Sequence, residues 1–84
     1  MDHALLLKRL RYRSWHRGCK ETDLVLGNFA DTHLAGLAPE LLPAYERLLD
    51  ENDADIWEWL AGKASSPAEY EELLVMMTPA VRGA

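Results

Sequence analysis

The chain has 84 residues, 49% of them hydrophobic and 27% charged, which leaves room for one folded core and not two. A single cysteine, Cys19, excludes an internal disulfide framework and a zinc site built from cysteines alone. No apolar run approaches the ~20 residues needed to span a bilayer, and the formal charge of −5 is that of an acidic protein with nine basic residues against 14 acids.

The periodicity is helical almost throughout. Residues 3–16 place Leu6, Leu10 and Arg13, with Leu7 and Ser14 alongside, at helical spacing. Gly18 predicts the stop, and Arg13, His16 and Arg17 suit the negative end of the helix dipole. A second helix is predicted from about Cys19 to His33, with Leu24, Val25, Leu26, Phe29, Ala30 and Leu34 as its apolar set. Glu21 and Asp23 fall in its first turn, where carboxylates face the positive end of the dipole.

Leu34 to Ala38 reads as a loop, and Pro39 suits the first position of a third helix with Leu41, Leu42, Tyr45, Leu48 and Leu49 on one stripe. Asp50 to Asp53 is an acidic connector in which Asn52 or Asp53 is the cap. In the short fourth helix Ile56, Trp57 and Leu60 share a face, Trp59 is turned aside, and Gly62 closes the element. Ser66-Pro67-Ala68-Glu69 then reads as a cap, a first-position proline and a third-position glutamate. The fifth helix carries Tyr70, Leu73, Leu74, Met77 and Val81, with Pro79 and Gly83 marking its end. The expectation is an all-α, small five-helix bundle: one domain over residues 1–84, its core about 3–78 and a frayed tail at 79–84.

Charge is unevenly placed. Residues 1–20 hold six of the nine basic residues and one of the 14 acids. Three readings follow: the first helix neutralises acidic neighbours, it meets a protein partner, or it binds nucleic acid. The acidic remainder would repel phosphate over a Debye length of ~8 Å, which counts against the last, a small nucleic-acid-binding regulator.

Residues that could carry chemistry are few. No phosphate-binding glycine loop, nucleophile elbow or established zinc spacing is present. His3, His16, Cys19 and His33 are the candidate metal ligands, but nothing near His16 and Cys19 in sequence supplies a third. Cys19 stands near a helix N-terminus between Arg17 and Lys20, surroundings that activate a thiol or are merely tolerated in a turn. Trp57 has core spacing, while Trp15 and Trp59 are expected to be partly exposed, as anchors for a partner or lids over the core. The sharpest local feature is Arg17-Gly18-Cys19-Lys20-Glu21, which is expected to bring Arg17 and Glu21 together at an exposed corner between two helices.

Tyr12-Arg13-Ser14-Trp15-His16-Arg17-Gly18-x-x-Glu21-x-Asp23-Leu24-x-Leu26-Gly27-x-Phe29-Ala30 resembles the signature of the succinate dehydrogenase assembly factors, the small flavinylation factors of bacteria and mitochondria. Their hallmark is Arg-Gly-x-x-Glu. A second block, Tyr45-x-x-Leu48-Leu49 with Asp53-x-Asp55-Ile56-x-x-Trp59-Leu60, extends the resemblance over about residues 8–77. It implies a five-helix bundle without a catalytic site of its own. The implied partner is the flavoprotein subunit of succinate dehydrogenase, and in bacteria also that of fumarate reductase. The implied role is to promote covalent attachment of FAD to a histidine of that subunit, with no FAD held stably by the factor itself.

By the same resemblance Arg17, Gly18 and Glu21 form the functional corner, and Tyr12, Asp23, Phe29 and Trp59 support it. Cys19 and Lys20 occupy the motif's free positions, so the thiol has no implied role. The N-terminus shows no signal-peptide or transit pattern, which points to a cytoplasmic bacterial member; relatives in eukaryotes belong to the mitochondrial matrix, and the chain is expected to be a monomer. The Tyr-Arg-Ser and Asp-Leu-x-Leu-Gly-x-Phe-Ala stretches are closer to the mitochondrial and alphaproteobacterial branch.

Overall fold

Asp2 opens the first helix by accepting the Ala4 backbone N–H at 3.4 Å on its carboxylate. This computed structural model describes residues 2–82. Five α-helices run in chain order: α1 (His3–Trp15), α2 (Lys20–His33), α3 (Leu42–Leu49), α4 (Asp53–Leu60) and α5 (Glu71–Arg82). Short 3₁₀ turns at Leu34–Gly36, Pro39–Leu41 and Ala68–Tyr70 join or precede them, and there is no strand among the described residues. The all-α five-helix expectation therefore holds.

The core is one cluster to which every helix contributes. Leu10 comes from α1, and Leu26, Phe29 and Ala30 from α2. Tyr45, Leu48 and Leu49 lie on α3, Ile56 and Leu60 on α4, and Leu73, Leu74 and Met77 on α5. The predicted α3 stripe is buried except for Leu41, which is half-buried at its start. The α2 set is shifted by comparison: Leu24 faces solvent at 47% exposure, and Gly27 is buried in its place. A Cβ at Gly27 would overlap the indole of Trp15, so this position lets α1 and α2 approach closely. Trp15 lies over that glycine and donates its indole N–H to Asp31 Oδ1 at 3.3 Å.

One polar network crosses the core. Ser14 donates its hydroxyl to the Leu10 carbonyl at 2.7 Å and stands 2.6 Å from the Tyr45 hydroxyl. Either hydroxyl can donate in that contact, and the Tyr45 hydroxyl also reaches the Leu26 carbonyl at 3.4 Å. Burial pushes the Tyr45 phenol up to about 12, against the lowering effects of Ser14 and Arg17. Every buried side-chain polar atom among the described residues has a partner, as packing of this kind requires.

Helix ends follow the predicted stops in two places. Gly18 has φ +95° between α1 and α2, and Gly62 has φ +78° after α4. Around Gly62, the Lys63 N–H reaches the Glu58 carbonyl at 2.9 Å and the Gly62 N–H reaches Trp59 at 3.2 Å, the paired bonds of a Schellman ending. Asn52 supplies the α4 cap, accepting the Asp55 N–H at 2.9 Å.

Three expectations need correction. Ser66 does not cap a helix, because Pro67 is extended (ψ 143°) and begins a 3₁₀ turn; α5 starts at Glu71. Glu69, the expected capping-box residue, instead accepts from Arg47 of α3. Pro79 does not end α5, which continues to Arg82 with the proline on its exposed side; Gly83 and Ala84 lie outside the described residues. Trp57 is not a core residue, while Trp59 is partly exposed as expected and lies as a lid over the core. Trp59 packs on the core with its ring 5.8 Å from that of Tyr70, while Trp57 is half-exposed and outside that packing.

Candidate functional site

The corner between α1 and α2 is built from the backbone outward. After Trp15 the chain leaves the helix through His16, and Gly18 takes the left-handed conformation that turns it toward α2. Cys19 is extended and Lys20 begins the next helix. The Arg17 backbone N–H is held by the Asp23 carboxylate at 2.8 Å, so the first turn of α2 fastens the end of α1.

Arg17 and Glu21 do not form the expected pair. The Arg17 side chain is only 8% exposed and turns away from Glu21, toward the α3–α4 connector 32–36 residues further along. Its Nε donates to Asp53 Oδ1 at 2.6 Å, Nη1 to the Leu49 carbonyl at 2.7 Å, and Nη2 to the Glu51 carbonyl. The guanidinium therefore spans the end of α3 and the start of α4, where carbonyls and a carboxylate match its planar fork. Thr22, fully buried on α2, adds its hydroxyl to the same Asp53 oxygen at 2.8 Å.

These contacts set the charge state of Asp53. Partial burial by itself would raise its pKa. The Arg17 hydrogen bond, then the Thr22 hydroxyl and the Arg17 charge, outweigh that and hold the carboxyl below the ordinary range. Because the folded pKa is depressed, the stabilisation is fully present above the unfolded value of about 3.9 and is lost as pH falls through the folded value. Urea midpoints measured between pH about 6 and about 2.5 should therefore drop at the acid end. The Asp53→Asn variant should be less stable at pH 6 and show a shallower acid loss; an equally steep acid loss would mean that Asp53 is not the responsible group.

Glu21 itself is exposed. Its own backbone N–H, then the Cys19 thiol at 3.3 Å, hold its carboxylate below the usual range. Gly18 is exposed beside it, with nothing within 4 Å of the place a Cβ would take. The corner thus presents a glycine and a carboxylate to solvent, over an arginine that is internal.

The remaining sequence-selected residues are spread out. Tyr12 is 64% exposed, its ring stacked on His16 at 4.0 Å. Phe29 belongs to the core against Tyr45, and Trp59 covers Tyr70 on the far side of α4. The basic first helix does meet acidic neighbours: Arg13 reaches Asp50 at 2.7 Å and Arg11 lies 4.0 Å from Asp31. No group of three or more His, Cys, Asp or Glu side chains is placed to hold a metal ion among the described residues, and none of their helices is long and apolar enough to cross a membrane.

Sequence reasoning missed Asp53 and Thr22 as partners of Arg17. Asp53 had been visible only as an alternative cap and as part of the second motif block. A threonine just after Glu21 carried no signal of its own.

The chain is 42% identical over 66 residues to "Succinate dehydrogenase assembly factor 2, mitochondrial" of Schizosaccharomyces pombe, covering 79% of this chain and 48% of that protein. It is 42% identical over 66 residues to the protein of the same name in Dictyostelium discoideum, covering 79% and 47%. With that of Aspergillus terreus it shares 45% identity over 71 residues, 81% of this chain and 24% of the relative. The chain therefore spans half the length or less of these relatives. No solved structure matches it significantly. The family profile described as "Flavinator of succinate dehydrogenase" matches residues 8–79, nearly the whole folded unit and the entire Arg17–Glu21 corner, and the chain belongs to that family.

Proposed function

We propose that this chain is an assembly factor that binds the flavoprotein subunit of succinate dehydrogenase and promotes covalent attachment of FAD to it. Family membership supports the partner and the task. The observation that carries the reading to particular residues is the corner itself: Gly18 and Glu21 stand exposed on a turn that Arg17, Asp23 and Asp53 hold in place. A helper of this size acts by positioning. It seats on the flavoprotein and favours the arrangement in which that protein's own groups attach the flavin; orientation alone contributes several kcal/mol to such a barrier. In this reading the chain is not itself the enzyme, holds no FAD stably and acts as a monomer. Glu21 and Gly18 contact the partner, Arg17 acts from beneath, and fumarate reductase is a second client where it is present.

The test is the covalent flavin on the partner subunit, read by in-gel fluorescence in cells whose own factor is replaced by each variant. Glu21→Ala is expected to abolish attachment while changing unfolding free energy by no more than about 0.5 kcal/mol, as for other exposed positions. Wild-type flavin levels with a normally folded Glu21→Ala protein would remove the corner from the mechanism.

A further inference from the structure

The exposed face of α1 carries a feature that the corner does not use. Leu5 is 48% and Tyr12 64% exposed, and both line an open groove of about 410 Å³ together with Lys8, Arg9 and Arg13. Tyr12 and Arg13 also line a second groove of about 240 Å³ that continues to Arg17 and Leu49. The two share walls, so one surface runs from Leu5 along the helix to the corner. Leu5 and Trp15 are ten residues apart, which on a helix is roughly 15 Å.

The floor of this surface is apolar and its wall is basic. Leu5 and the Tyr12 ring form the floor; Lys8 and Arg9 stand beside them, and Arg13 is turned to Asp50. Tyrosine and arginine are enriched at protein interfaces, so an exposed tyrosine among basic side chains suits a protein contact. The sign of the wall selects an occupant with carboxylates. The rest of the chain selects a short one: residues 21–84 hold 13 of the 14 acids against three basic residues. A long polyanion laid along α1 would run into those acidic faces, whereas a single peptide segment meets only the basic helix. A second copy of this chain would bring another net charge of −5 with it, which opposes self-association.

We propose that the α1 groove is a second docking arm, continuous with the corner, that receives an acidic, apolar-centred segment of the flavoprotein partner. This rests on the function proposed above and adds to it a stated chemistry for the contact. The partner's apolar side chain sits on Leu5 and Tyr12 while a flanking carboxylate faces Lys8. Electrostatic steering to this arm would bring the partner onto the Gly18/Glu21 corner in one orientation.

The experiment measures binding of the full chain to the purified flavoprotein subunit of succinate dehydrogenase by biolayer interferometry at several salt concentrations. Lys8→Glu and Tyr12→Ala are each compared with wild type, after far-UV circular dichroism and urea midpoints show that they fold. Lys8 is exposed on the outer face of its helix, so its reversal keeps the test informative should Tyr12→Ala unfold. The expected result is a Kd raised at least tenfold by Lys8→Glu, with a weaker salt dependence than wild type, and a similar loss for Tyr12→Ala.

Wild-type binding that Lys8→Glu changes by less than twofold would overturn the docking arm and leave the proposed function standing. No binding of the wild-type chain to the flavoprotein would overturn both. Lys8-dependent binding to double-stranded DNA or to phosphatidylglycerol vesicles, or a Lys8-dependent dimer, with flavoprotein binding unaffected, would overturn the arm in favour of that other occupant.

Discussion

Arg17→Ala is expected to lower the unfolding free energy by about 3 kcal/mol, at the low end of what removing one member of a buried ion pair costs. The low end is appropriate because the Asp53 side chain is 29% exposed and can recruit water when its partner is gone. Three acceptors lose a donor at once: the Asp53 carboxylate and the Leu49 and Glu51 carbonyls. Arg17→Lys should recover only part of the loss, since one ammonium cannot reproduce a planar fork aimed at three oxygens. Urea unfolding of the three proteins checks this. Equal stability of wild type and Arg17→Ala would mean that the guanidinium does not join α1 to the α3–α4 connector. Covalent flavin on the partner should fall with Arg17→Ala even under conditions where the variant remains folded, because the corner has lost its tie to the α3–α4 connector. Glu21→Ala, in contrast, should lose flavin attachment without losing stability, and this difference separates an internal arginine from an exposed glutamate within one motif.

That difference also shows where the sequence ceased to be informative. Arg17 and Glu21 are four residues apart across a glycine, and local spacing gave no reason to look elsewhere for the arginine's partner. The partner, Asp53, lies 36 residues away, and nothing in a single sequence measures that distance. What local spacing could settle, it settled well. The predicted α3 stripe is buried apart from half-buried Leu41, and the stops at Gly18 and Gly62 coincide with the two positive-φ glycines among the described residues.

The tryptophans of α4 mark the boundary between these cases. Ile56 and Leu60 fix the buried direction of the helix. At about 100° per residue, Trp57 and Trp59 fall about 80° to either side of it. The helical pattern is therefore a tie, and only the Tyr70 ring beside Trp59 breaks it. The start of α5 failed for a related reason: Ser66 and Glu69 have the right spacing for a reciprocal cap, but the Glu69 carboxylate is taken by Arg47, 22 residues earlier.

Leu48→Ala is expected to cost about 2–5 kcal/mol, the range for deleting most of a buried leucine and leaving part of its volume empty. Leu48 has no exposed surface, and it sits between Tyr45 and Leu49 on the short helix whose far end Arg17 grips through the Leu49 carbonyl. A chain of this length has a total stability on the order of 5–15 kcal/mol, so the substitution removes a large fraction of it. At about 4–8 °C per kcal/mol for a domain of this size, even the lower estimate should move the thermal midpoint by roughly ten degrees. The urea midpoint should fall with little change in slope if the variant still unfolds from the same compact state. A change below about 0.5 kcal/mol would place Leu48 outside the core, since only exposed positions are that tolerant. Leu48→Ala and Arg17→Ala act on the same short helix, one from its buried face and one from its last carbonyl, so their effects should not simply add. A double variant whose loss is smaller than the two single losses together would show that the grip on the connector depends on α3 being packed, and hence that the core supports the corner through this helix.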